Sequence, residues 1–170
     1  NTMLLATYSL WARDIIRFYR QRSRVIGALG TPVVFWLLLG SGLGSSFRIN
    51  ADAPVNYLQY FFPGTLALIV LFTAIFSTIS VIEDRREGFL QGVLVAPVPR
   101  ATIVVGKILS GTTLAVLQAM LFLLLAPATG IDLRADLILP LVVTLLTLAF
   151  ALTGLGFLVA WQLDSTQGFH

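Results

Sequence analysis

The 170-residue sequence contains no cysteine and a single histidine. The first absence excludes disulfides, zinc-thiolate centres and iron-sulfur ligation, and it leaves the redox compartment open. The second gives a membrane haem no axial pair, because the one imidazole belongs to the terminal His170. Charge is scarce as well. Asp, Glu, Lys and Arg make up 11% of the chain, against roughly 25% in ordinary soluble domains. Residues 25–47, 53–82, 108–131 and 137–163 carry none at all. A soluble globular protein is therefore excluded. With no carboxylate or imidazole inside those runs, proton relays and ion-gradient coupling have no evident centre. No nucleophile and base fall together there either, which argues against an intramembrane enzyme.

What the chain has instead is apolar surface: 57% of its residues are hydrophobic and the mean hydropathy is +0.90. Each uncharged run exceeds the roughly 20 residues that cross a bilayer as a helix. The expected fold class is all-α, a polytopic helical membrane protein forming a single transmembrane domain over residues 1–170. An N-terminal amphipathic helix at 3–22 precedes spans at 25–47, 58–82, 101–126 and 137–163. The pI near 9.8 accompanies a net charge of only +3, and the basic residues sit at the ends of apolar runs, where they act as topology signals. The partner implied is membrane lipid, with no nucleic acid. Five arginines in residues 1–24, with Arg85, Arg86, Arg100 and Lys107, oppose only Arg48 and Arg134 on the other connections. That asymmetry puts the N-terminus, the central loop and the segment from Asp164 to His170 on the cytoplasmic side of the inner membrane. Lys107, just inside the third span, is expected to reach the interface along its stem. The first 24 residues end in an arginine cluster with no cleavage site. The start at Asn1 without an initiating methionine and the end just after the fourth run read as a segment of a longer chain.

In residues 3–22, Leu4, Tyr8, Trp11, Ile15 and Phe18 recur at three- and four-residue spacing, with Arg13, Asp14, Arg17 and Arg20 on the other side. This predicts a helix lying in the headgroup layer, with Trp11, Ile15 and Phe18 in the acyl boundary. Pro32 falls near the start of the first span, and Gly40 and Gly44 form a weak small-xxx-small pair near its end. Asn56, Tyr57, Tyr60, Phe61 and Phe62 read as an aromatic belt at the second span. Thr73, Ser77 and Ser80 share one face of that span, and Thr147, Ala151 and Gly154 share one of the fourth. Both stripes fit a substrate path or, more commonly, close helix packing.

The connection at 83–100 is the most informative segment. Dense mixed charge leads into Phe89, Leu90, Val93 and Leu94, whose spacing makes a short helix with one apolar face. Pro97 ends that helix and Pro99 starts the next. Such a helix either docks on a cytoplasmic partner or lies on the bilayer as a re-entrant turn. The pair Gly106-Lys107 is no phosphate loop, lacking the upstream glycine, the following Ser or Thr and a preceding strand.

The run from Glu83 to Lys107, with its Glu-Asp-Arg-Arg-Glu-Gly, Leu-Val-Ala-Pro-Val-Pro-Arg and Gly-Lys elements, resembles the cytoplasmic loop of the membrane subunits of ABC-2 type export systems. The arginine-rich N-terminal helix, Pro32 and the stretch Asn56 to Gly64 follow in family order. The resemblance implies a permease for drug or polysaccharide and lipo-oligosaccharide export. It would pair with a second permease, a copy or a different chain, and with a cytoplasmic ABC ATPase that carries ATP and Mg. This chain would then be no enzyme and would hold no catalytic, cofactor or metal residue. An amphiphilic or hydrophobic substrate would cross by alternating access. The ATPase-coupling residues would be Glu83, Arg86, Glu87, Gly88, Phe89, Leu90, Val93, Leu94, Pro97 and Arg100. Phe89, Leu90 and Leu94 would fill a groove on the ATPase, and Glu83, Glu87 and Arg100 would form its rim. Family members generally have six spans, where this sequence shows four. A non-transporting scaffold that recruits a cytoplasmic partner through the same loop is the alternative.

Overall fold

A backbone in hydrocarbon must satisfy its own N–H and C=O groups, so an apolar run of this length becomes a helix. The computed structural model describes residues 2–43 and 56–163. The helices are α1 (Thr2–Arg20), α2 (Arg22–Leu43), α3 (Tyr57–Arg86), α4 (Phe89–Val95), α5 (Arg100–Leu123) and α6 (Ala135–Gln162), with a 3-10 turn at Ala126–Thr129. There is no strand among the described residues. The helices α2, α3, α5 and α6 are long and apolar enough to cross a membrane. Gly44, Arg48 and the segment from Asp164 to His170 lie outside the described residues.

Helix α3 is central, touching α1, α2, α4, α5 and α6. Most of the spans of α3 and α5 are buried inside the bundle, whereas α2 and α6 turn most of theirs outward. At the end of the bundle away from α4, Trp36, Phe62 and Phe122 form an aromatic hub. The Trp36 ring lies edge-on to Phe122 at 5.0 Å, and Phe62 stacks on Phe122 at 4.7 Å. Trp36 Nε1–H donates to the Leu58 carbonyl at 3.0 Å. Of the expected aromatic belt, Tyr60 and Phe61 are exposed, while Tyr57 and Phe62 turn inward. Gln59 ties this end together, accepting from the Asn56 N–H and donating to the Thr129 carbonyl at 2.8 Å.

Halfway along, α3, α5 and α6 meet at Gly111. A Cβ there would lie 2.8 Å from Ser77 Oγ and would strike the Thr153 side chain. The packing stripe of α6 is Leu145, Ala149, Thr153, Phe157 and Ala160. It is not the stripe read from the sequence: Thr147 is on the open face, its hydroxyl donating back to the Val143 carbonyl at 2.8 Å. Period alone does not say which side of an all-apolar helix turns inward.

Helix α1 also corrects an expectation. It crosses the first half of α5, with Leu10 against Gly106 and Phe18 against Leu114 and Ala28. Its buried residues are Leu10, Asp14 and Phe18, a stripe about a quarter turn round from the face expected to enter the acyl layer. Ile15 packs on the Phe18 cluster and Trp11 donates to Thr113 Oγ1 at 3.1 Å. The exposed apolar side keeps Leu4 and Tyr8 of the expected face and adds Leu5, Ile16 and Tyr19. Burying a phenylalanine such as Phe18 contributes about 2–3 kcal/mol, and a carboxylate carried inward with it needs a cation.

Candidate functional site at the α4 end

That cation is Lys107. Seven residues into α5, about 10 Å along its axis, its ammonium bonds the Asp14 carboxylate at 2.9 Å and also the Asp84 carboxylate. The expected reach to the interface is thus replaced by an inward pairing, since a buried carboxylate pair offers more than water does across apolar side chains. Asp84 is fully buried. It accepts two hydrogen bonds from Arg13, at 2.9 and 3.2 Å, and one from Arg17 at 2.6 Å. Arg17 also reaches Glu83 at 2.9 Å and Glu87 at 3.5 Å, and Arg24 of α2 closes on Glu83. Four cations thereby face four carboxylates, from α1, α2, α3, α5 and the turn after α3. Such a hub is tolerated at low dielectric only because its buried charges are paired and hydrogen-bonded, while Glu87 is exposed at its edge.

Helix α4 stands on this hub. Gly88 joins it to α3 at φ 77°, the left-handed region that residues with a Cβ enter at a cost. Phe89 then lies beneath Arg13, whose Cζ is 3.6 Å from the ring centroid. Leu90 is buried with Leu10 and Ile103, and Phe89 and Val93 pack against them. Pro99 caps α5, as its fixed φ and missing N–H favour.

The inner face of α4 is therefore already occupied. This corrects the expectation that Leu90 fills a partner's groove. Its exposed residues are Gln91, Gly92, Leu94 and Val95, followed by Pro97 and Arg100. Val95 is 86% exposed, which makes it the most available apolar anchor. Glu83 belongs to the hub rather than to a rim, bonded to Arg17 and Arg24. Arg86 and Glu87 are exposed.

The second-span hydroxyls divide between two uses. Thr73 donates to Gln118 Oε1 at 2.8 Å across the α3–α5 contact. Ser77 and Ser80, with Asp14 and Ser110, border a polar void of about 10 Å³, roughly one water's worth. Gly154 lines a separate groove between α5 and α6. No group of three or more His, Cys, Asp or Glu among the described residues could hold a metal ion.

Sequence reasoning missed Arg13, Asp14, Arg17, Arg24, Asp84 and Lys107 as one unit. A signal was present, because Asp14 sits between Leu10 and Phe18 at spacings of four, on the inward face.

The ABC-2 type transporter family profile matches residues 6–168. The chain belongs to the ABC-2 type transporter family. Relatives of this ABC-2 chain include ycf38 of Cyanophora paradoxa, which carries a transport-permease name, at 30% identity over 128 residues, 74% of this chain and 44% of that one. The inner membrane transport permease YadH of Escherichia coli strain K12 is 28% identical over 109 residues, 63% of this chain and 42% of that one. The chain thus spans less than half the length of these relatives. No solved structure matches it. Family and fold agree on a multi-pass helical membrane protein of the permease type.

Proposed function

We propose that this chain is the membrane-embedded part of an ATP-driven exporter, in which α4 receives the stroke of a separate ATPase chain. The observation that supports this is the two-faced character of α4. Leu90 and Phe89 are fastened to the membrane domain, while Leu94, Val95 and Pro97 stand open beside Arg100. A push on the open face would pass through Phe89 and Arg13 to Asp84, and so to α1, α3 and α5 together. That favours rigid-body tilting as the route to alternating access. ATP and Mg would be held by the ATPase, and a second permease, a copy or a different chain, would complete the path. The cargo class that suits walls of apolar and small residues is an amphiphile, such as a lipid-linked saccharide or a hydrophobic drug. The basic asymmetry of the sequence supports a cytoplasmic position for α4 and the N-terminus.

In the complete transporter, Val95→Asp should abolish copurification of the ATPase while leaving the thermal stability of the membrane part unchanged. Full ATPase retention by that variant would sink the coupling reading. For orientation, a single cysteine at Gln91 in intact cells should resist an impermeant thiol reagent that labels one at Ala51. The reverse pattern would invert the topology.

A further inference from the structure

Between the α4 halves of α5 and α6 lies an open groove of about 660 Å³, inside the 300–1,000 Å³ range of small-molecule sites. Its deep walls are Val104 and Ile108 of α5 and Gly154, Phe157 and Leu158 of α6. Its mouth is different, formed by Arg100, Trp161 and Gln162 beside Leu94 of α4. From Gly154 to Gln162 the groove runs about 12 Å along the helix axis, most of the roughly 15 Å depth of one leaflet's hydrocarbon.

The polarity gradient identifies the occupant. Arg100 makes no ion pair among the described residues, and no carboxylate lines the groove. Arg85 does not line the groove; it holds the end of α6 in place by donating to the carbonyls of Ala160, Trp161 and Leu163. A tryptophan between a cationic group, Arg100, and an apolar slot marks a headgroup level. An occupant that suits the groove carries an anion at the level of Arg100 and an apolar body beneath it, as a phospholipid does. We infer that the groove binds one anionic glycerophospholipid, its acyl chain along Gly154 and Ile108 and its phosphate on Arg100. The lipid would share Leu94 as a wall with α4, so its occupancy would brace the outer face of that helix. Leu94 and Arg100 also belong to the open side of α4, whereas Val104, Ile108 and Leu158, which read out the lipid, lie on α5 and α6.

The test uses the complete protein in phosphatidylcholine vesicles carrying a trace of phosphatidylglycerol with an acyl-chain diazirine, or phosphatidylcholine with the same chain. Photolabel should concentrate on Val104, Ile108 and Leu158, with the anionic lipid ahead by about fivefold, the worth of one basic residue near a headgroup. Arg100→Gln should remove that preference and leave the baseline. Gly154→Trp should block both lipids, and because nothing lies within 4 Å of a Cβ at Gly154, its circular dichroism and elution should be unchanged. If Gly154→Trp does not fold, Arg100→Gln decides alone. Three results would overturn the inference: equal labelling of the groove and of the open face at Leu139, an anionic preference that survives Arg100→Gln, or an unlabelled groove that cross-links to another protein segment.

Discussion

The guanidinium of Arg13 stacks 3.6 Å above the Phe89 ring while its edge makes two hydrogen bonds to Asp84. One side chain on α1 thereby fixes α4 to α3, so α4 is held sideways as well as through its link to α3. The bond to Asp84 holds the Arg13 proton even more firmly than an ordinary arginine does, so the stacking persists at any pH the protein meets.

A double-mutant cycle on Arg13→Gln and Phe89→Ala should return a coupling of about 1 kcal/mol in detergent unfolding experiments. A coupling of zero would mean that the ring and the guanidinium are neighbours without mutual stabilisation.

Lys107→Met removes the ammonium shared by Asp14 and Asp84 and leaves a carboxylate buried beside a methyl group. The expected loss is about 3 kcal/mol, read as a fall in the midpoint of thermal unfolding. Adding Asp14→Asn should recover more than half of it. Further destabilisation by the second change would show that Asp14 is held mainly by Arg13 and Ser110.

The two glycines around α4 should respond in opposite directions. Gly88→Ala forces a Cβ into a left-handed backbone and should cost about 1–2 kcal/mol. Gly92→Ala lies on the open face with nothing within 4 Å and should be neutral or stabilising through helix propensity. Limited proteolysis of the 83–100 segment would report both.

Gly111→Val should cost about 1–3 kcal/mol by overpacking, because its side chain would displace both Ser77 and Thr153. Native-like unfolding of that variant would contradict the close three-helix contact.

The spans, the short α4 and its two proline boundaries were legible because each depends on local chemistry: uncharged length, three-four periodicity, and the missing N–H at Pro97 and Pro99. The hub was not, because Asp14 and Lys107 are 93 positions apart and each, taken singly, reads as an interfacial charge. The inward side of α4 was misread for a related reason. Leu90 and Val95 are equally apolar, and what separates them is Leu10 and Ile103 arriving from elsewhere in the chain. The second-span hydroxyls were read as either a substrate path or a packing face, and Thr73 donates to Gln118 across the α3–α5 contact.

The distance between Asp14 and its ammonium partner also sets an order on biogenesis. At about 5–20 residues per second, a ribosome needs roughly 5–20 s to add the 93 positions that separate the two. Throughout that interval α1 lacks the Lys107 ammonium and the α5 surface it packs on, so it must wait in water, in headgroups or on an insertase. Only when α5 arrives can α1 settle against it, which places the docking of α1 after the synthesis of α2, α3 and α4.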